Sequence, residues 1–210
     1  MKRPSPDTDD IDPRLARTYA RSDGKQQHYD EWAEDYDQDL VHDLDYVAPR
    51  RVGELFMERV QEREARIVDV ACGTGLVGEV LYQSGYASID GIDFSDGMLE
   101  RARERGVYRQ LQQHDFTQAL TPEPLYDALI CVGLFAFGRP GMGDLHHVVN
   151  CVKPGGTCVV TVNGAAWEKL ELASALDDAC RRHGYSIERI VRTDYIRAED
   201  IDARVLILTR

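Results

Sequence analysis

Lysine is scarce: Lys2, Lys25, Lys153 and Lys169 are the only four in 210 residues, and 25 lysines and arginines face 37 aspartates and glutamates. The formal charge is therefore 25 − 37 = −12. Such a chain repels a phosphate backbone and lacks the attraction on which nucleic-acid binders rely, so no nucleic-acid partner is expected. Long apolar runs are missing as well. The longest, Ala128 to Gly138, has 11 residues, whereas a membrane-spanning helix needs about 20, so no membrane partner is expected. The first ten residues, M-K-R-P-S-P-D-T-D-D, lack the apolar stretch of a secretory signal, and a cytoplasmic location is expected. Five cysteines (Cys72, Cys131, Cys151, Cys158, Cys180) are odd in number and never fall as C-x-x-C. Neither a disulfide framework nor a metal site is indicated, and the cysteines read as small buried hydrophobes. No surface pattern speaks to the oligomeric state.

What is present suits a single globular domain: 43% of the residues are hydrophobic, with 10 Tyr, 5 Phe and 2 Trp. Residues 1–24 are rich in Pro, Asp and Arg and are expected to form a flexible arm. Residues 25–65 are expected to supply cap helices. In the first, Tyr29, Trp32, Ala33, Tyr36 and Leu40 recur at helical steps across one amphipathic segment; the second runs from about Pro49 through Arg63. From Arg66 to Arg210 short apolar runs alternate with helical stretches and glycine turns, which predicts an α/β core with a parallel, doubly wound sheet. Strands are expected at 66–71, 88–93, 108–113, 126–132 and 157–162, with helices at 76–84, 96–105, 143–151 and 166–183. S-I-E-R-I-V-R and R-V-L-I-L-T then follow with only a loop between them, which predicts an antiparallel pair at the sheet edge.

The strongest chemical signal is V-D-V-A-C-G-T-G-L-V-G, residues 68–78, a strand ending in a glycine turn that opens a helix. Gly73, Gly75 and Gly78 satisfy G-x-G-x-x-G, where missing side chains let backbone amides approach a ligand. The next strand ends in G-I-D-F, placing Asp93 18 residues after Gly75, near the spacing of about 20 for a carboxylate on ribose hydroxyls. The competing reading is structural: Gly75 and Gly78 would relieve packing, and Asp93 would cap the following helix.

These blocks resemble the class I S-adenosylmethionine-dependent methyltransferases. The matching pieces are D-V-A-C-G-T-G, I-D-F-S-D-G-M-L, H-D-F and V-K-P-G-G, which by order and spacing cover roughly residues 28–165, and the terminal strand pair agrees with that family's seven-stranded sheet. Y-D-E-W-A-E-D-Y-D followed by A-P-R also resembles its small-molecule members, including the methyltransferase-like type of the Williams-Beuren syndrome region. The resemblance implies S-adenosylmethionine as cofactor, with Asp69 serving its amino group, Gly73 and Gly75 skirting it, and Asp93 accepting from the ribose. It implies Phe94 and Met98 about the adenine, Asp115 on the exocyclic amine beside Phe116, and Val132 completing the site. Tyr29 and Tyr36 would close over the cofactor, and Trp32, His146, Asn163 and Trp167 would meet the acceptor. Ala71 departs from the pattern, standing where the family usually has its first glycine, and a slightly altered turn is expected.

An NAD(P)-dependent oxidoreductase would use the same glycines, but no Tyr has a Lys four positions later, and no separate substrate domain fits in 210 residues. Gly24-Lys25 is followed by Gln26, which excludes a P-loop. A non-catalytic S-adenosylmethionine-binding protein is the alternative from another class. Methyl transfer from a sulfonium needs alignment and exclusion of water more than a dedicated base. No catalytic residue is assigned; His28, His42, His146 and His147 are candidates, and for each the competing reading is a solvated histidine on a helix surface. Eight acids and no Lys or Arg lie between His28 and Asp45. If that segment covers the site, its field favours neutral or cationic acceptors over anions; otherwise it is a solvated helical face.

Overall fold

The computed structural model describes residues 25–123, 125–136, 140–170 and 172–210. The expected arm over 1–24 lies outside the described residues. In chain order the elements are α1 (Lys25–Trp32), a π-helical turn (Gln38–Asp43), α2 (Ala48–Arg59), β1 (Ile67–Val70), α3 (Leu76–Gln83), β2 (Ile89–Asp93), α4 (Asp96–Arg105) and β3 (Gln110–Gln113). There follow β4 (Tyr126–Phe135), a 3-10 turn (Met142–Asp144), α5 (Leu145–Val149), β5 (Val152–Asn163), α6 (Gly164–Lys169), α7 (Leu172–His183), β6 (Ser186–Ile196) and β7 (Ile201–Thr209).

The strands form one seven-stranded sheet in the order β3-β2-β1-β4-β5-β7-β6. β3, β2, β1, β4 and β5 run parallel, while β7 pairs antiparallel with both β5 and β6. β1 and β2 are buried along their whole length, as expected of central parallel strands covered on both faces. One face packs Val68, Val70, Leu129, Val160 and Leu206 under α5 and α7; the other packs Ile67, Ile130, Val159 and Ile207 under α2 and α3. At the amino-terminal edge, buried Asp90 takes both Arg109 nitrogens at 3.1 Å and the Tyr126 hydroxyl at 3.1 Å, tying β2 to β4 far from the glycine turn. All five cysteines are buried and free. No helix among the described residues is long and apolar enough to cross a membrane.

Three expected elements differ. The segment over 29–40 is not one helix: α1 stops at Trp32, residues 33–35 turn, and a separate helical turn follows. Its like-charged pairs four apart (Asp30–Glu34, Glu31–Asp35, Asp35–Asp39) oppose a continuous helix, although the expected inward residues Trp32, Ala33 and Leu40 are buried. The expected helix over 166–183 is two, because α6 packs on β7 while α7 packs beside α5 and the 3-10 turn before it. β5 starts at Val152, so V-K-P-G-G lies at the amino-terminal end of its own strand.

Candidate functional site

β1 ends at Val70, and the chain then turns through Ala71, Gly73 and Gly75, all at positive φ (58°, 54° and 95°), before α3 begins. Ala71 therefore takes the left-handed backbone itself, at a cost of roughly 1–2 kcal/mol for a residue with a Cβ. The Gly73 amide donates to Asp93 Oδ2 at 2.8 Å, and the Ser95 amide to Asp93 Oδ1 at 2.9 Å. The turn after β1 and the acid ending β2 are thus one unit at the carboxyl edge of adjacent parallel strands, the usual ligand position in open α/β sheets. A Cβ on Gly73 would meet nothing within 4 Å, so this part of the turn faces open space. Burial pushes the Asp93 carboxyl up, opposed by the amides of Ser95, Gly73 and Phe94, and the nearby Asp30 raises it further.

Asp69 is buried completely. Burial lifts its carboxyl to about 7, and the Tyr108 hydroxyl, donating to Oδ2 at 2.7 Å, works against that rise. Phe94 is half-buried against the core, Met98 is buried on α4, Phe116 lies inside the main core, and Val132 is buried on β4. Asp115 is exposed, and its Oδ1 takes the Thr117 amide at 2.9 Å and hydroxyl at 2.8 Å, which hold the carboxyl below its ordinary range.

The segment before α2 lies across this edge. Asp30 accepts from the Ser95 hydroxyl and, at 3.0 Å, from the Gly97 amide. Asp37 accepts from the Thr74 hydroxyl at 2.5 Å and pairs with Arg105, which also donates to Thr74 O at 2.6 Å and pairs with Glu79. Trp32, Leu40 and Leu44 bury against Ile196 and Ile201 at the β6–β7 turn. Trp32 Nε1 donates to Asp39 at 2.6 Å, and its ring meets Tyr36 edge-on at 4.8 Å. The Tyr36 phenol is pushed well up by burial, by Tyr29 and Tyr195, and by the carboxylates of Asp93 and Asp37, so it stays a donor. Tyr29 packs on the same cluster, its ring stacked toward Trp32 at 6.4 Å. Tyr46 donates to Tyr195 at 3.1 Å.

The structure brings Tyr29, Trp32, Tyr36, Ala71, Gly73, Gly75 and Asp93 to one edge, and Asn163, the buried last residue of β5, stands on the same edge, capping α6 through the Ala166 amide at 3.0 Å. Trp167 on α6 packs partly against the main core. His146 is not brought there. Its ring stacks on His183 at 4.3 Å, and α7 ends just before β6 begins at Ser186, which pairs with Thr209 at the opposite edge. The expectation of an acceptor contact at His146 is corrected accordingly: α5 descends toward the start of β5 and carries its imidazole with it. His147 shares that cluster, with rings 4.2 Å apart. His42 is exposed, and His28 lies against Tyr29 and Trp32. Sequence reasoning missed Asp30, Asp37 and Thr74, although they lie within Y-D-E-W-A-E-D-Y-D and D-V-A-C-G-T-G, and it missed Arg105, Tyr108 and Tyr195, which lie in no motif. Ser95, within I-D-F-S-D-G-M-L, had a further signal as the N-cap of α4, accepting from the Met98 amide. Among the described residues no group of three His, Cys, Asp or Glu could hold a metal ion.

Residues 67–156 match the family model for a methyltransferase domain. Human methyltransferase-like protein 27 is 38% identical over 137 residues, 63% of this chain and 55% of that protein. A ubiquinone biosynthesis O-methyltransferase of Alkalilimnicola ehrlichii is 33% identical over 98 residues, 43% of this chain and 38% of its own length. The chain thus spans about half, or less, of the curated relatives it matches. An S-adenosylmethionine-dependent methyltransferase from Mesorhizobium loti shares the fold with a TM-score of 0.59 at 16% identity, over 75% of this chain and 96% of that one. So does the [4+2]-cyclase SpnF, with a TM-score of 0.59 at 18% identity, over 76% and 80%. The latter shows that the fold alone does not fix the reaction. Residues 67–156 thus form a methyltransferase domain, and the strand order and the union of the glycine turn with Asp93 agree with the fold it shares with the S-adenosylmethionine-dependent methyltransferase above.

Proposed function

We propose that the protein binds S-adenosylmethionine at the turn of residues 71–75 and transfers its methyl group by in-line displacement to a small-molecule acceptor or a protein side chain. The observation that carries this reading is the Gly73–Asp93 unit, with open space above Gly73. The residues fit the group: Asp93 offers carboxylate oxygens to two ribose hydroxyls, and acids surround a cofactor that carries a sulfonium and an ammonium. The bound cofactor supplies a methyl on an already activated leaving group. The chain contributes binding through Asp93 and the turn, a donor from the Tyr36 phenol, and a cap that excludes water. Asp115 would accept from the adenine's exocyclic amine, and Asn163, Trp32 and Trp167 would border the acceptor. No general base is required, and His28 is the one candidate imidazole packed with the cap aromatics.

A neutral or cationic acceptor suits the acidic cap better than an anion. The relatives named for O-methylation in ubiquinone biosynthesis and for demethylmenaquinone methylation support a neutral, quinone-related ring as one such class. Buried free cysteines suit a reducing cytoplasm. Calorimetry with S-adenosylhomocysteine and with NAD, followed by S-adenosylhomocysteine release across matched amines, phenols and acids at low and high salt, tests the assignment. Binding of the first compound and turnover of a neutral or basic acceptor are expected. Preference for NAD would reject the cofactor, and a salt-insensitive preference for anions would reject the acceptor class.

A further inference from the structure

Tyr108, in the link between α4 and β3, has a ring that occupies the space left by three glycines. A Cβ on Gly78 would run into the ring and its hydroxyl; one on Gly75 would lie 2.9 Å from Arg105 Cδ and 3.1 Å from the ring's Cε2, and one on Gly91 2.7 Å from Leu111 Cδ2 and 3.0 Å from the ring's Cδ1. Of the three fingerprint glycines, only Gly73 faces open space. Gly78 is bare because an aromatic ring lies against it, not because a ligand does. Gly75 is constrained twice, by the ring and by its φ of 95°.

The ring carries its hydroxyl to a specific partner. Tyr108 donates to Asp69 Oδ2 at 2.7 Å, and Asp69 Oδ1 is sealed from solvent with no partner at all. Around this carboxyl stand the Tyr108 phenol, Asp93 from β2, Cys72 from the turn, Cys131 from β4 and the Gly78 amide from α3. A wholly buried carboxylate with one satisfied oxygen is costly to hold in a fixed orientation, and of the side chains around it the Tyr108 hydroxyl is the one that donates to it, at 2.7 Å.

We propose that Tyr108 is a positioning residue for the cofactor: its ring, housed by Gly75, Gly78 and Gly91, holds the Asp69 carboxylate oriented beneath the turn that receives the cofactor's methionine end. This rests on the cofactor reading proposed above. A hydrogen bond to a carboxylate favours its charged form, so removing the hydroxyl moves Asp69 to higher pKa. The ionised carboxylate favours the ammonium of the cofactor, and affinity should therefore fall as pH drops through the Asp69 transition, at a higher pH in the variant than in the wild type.

The test measures S-adenosylhomocysteine affinity of the full chain by calorimetry across about pH 5.5 to 9, which brackets the raised carboxyl. Tyr108→Phe keeps the ring and is expected to bind about tenfold more weakly near neutral pH, with its acid limb displaced upward. Thermal melts address the housing separately: Gly78→Ala should lower Tm strongly in the wild type and much less when combined with Tyr108→Ala, since the two positions are in contact. Equal affinity and an equal pH profile for Tyr108→Phe would overturn the positioning role while leaving the cofactor reading intact. The same Tm loss for Gly78→Ala in both backgrounds would overturn the housing. A wild-type chain that binds no S-adenosylhomocysteine would overturn the cofactor reading and this role together.

Discussion

At residues 69 and 71 the backbone and the solvent make opposite demands on the same turn. Ala71 holds a left-handed conformation that glycine takes freely, so the expectation of a merely altered turn becomes one of a strained residue. Ala71→Gly is expected to raise stability by about 1 kcal/mol, or roughly 2–4 °C in Tm for a chain of this size, as read by calorimetric melting; an unchanged or lowered Tm would mean that the strain is relieved elsewhere. Asp69 bears a different cost. Its folded carboxyl titrates near 7 against an ordinary 3.8, so between those values the folded state holds a proton that the unfolded state has lost. Stability from this group is therefore fully present below about 3.8, falls as pH rises, and levels off above about 7, with a slope on the order of 1 kcal/mol per pH unit. Asp69→Asn should flatten the wild-type decline between about pH 4 and 7 in urea-unfolding measurements. Parallel curves for the two proteins would show that Asp69 does not titrate there.

Among the elements, the segment over 25–43 has the fewest determinants in its own sequence. Its inward face was legible from the spacing of Trp32, Ala33 and Leu40, yet its division into two pieces was not, because like-charge repulsion and contacts to distant residues decide where it bends. Arg105 shows the difficulty. It closes α4 in sequence as an ordinary basic residue of a last turn, but in space it joins Asp37, Glu79 and the Thr74 carbonyl. Arg105→Leu is expected to cost about 2 kcal/mol, since Arg105 is mostly buried while its carboxylate partners are partly exposed. It should also speed amide exchange in residues 25–43 while exchange in β1 and β4 stays slow. Uniform exchange in the cap of variant and wild type would deny the latch. By contrast β1 and β2 were legible to within a residue at each end, since continuous apolar runs before glycine turns have few other outcomes, whereas β4 and β6 run three and four residues further than expected and β7 begins three residues earlier.

At the scale of the molecule, the candidate site and the Asp90 network lie at opposite edges of the sheet among the described residues. The carboxyl edge gathers Gly73, Asp93, Asn163 and the acidic cap; the amino edge holds Asp90 with Arg109 and Tyr126, the V-K-P-G-G turn and the His146–His183 stack. Motif spacing pointed to Gly73 and Asp93, which meet because Gly73 lies in the turn after β1 and Asp93 ends the adjacent parallel strand β2. It misplaced His146 because helix direction after β4 depends on packing against α7, and it passed over Tyr108 because nothing in G-V-Y-R marks a ring bound for three remote glycines. We propose that Asp93, fixed by the Gly73 and Ser95 amides, grips the ribose of S-adenosylmethionine. In a calorimetric titration with S-adenosylhomocysteine, the wild type is expected to bind and Asp93→Ala, still folded by melting, to bind at least about tenfold more weakly; equal affinity in the two proteins would refute that grip.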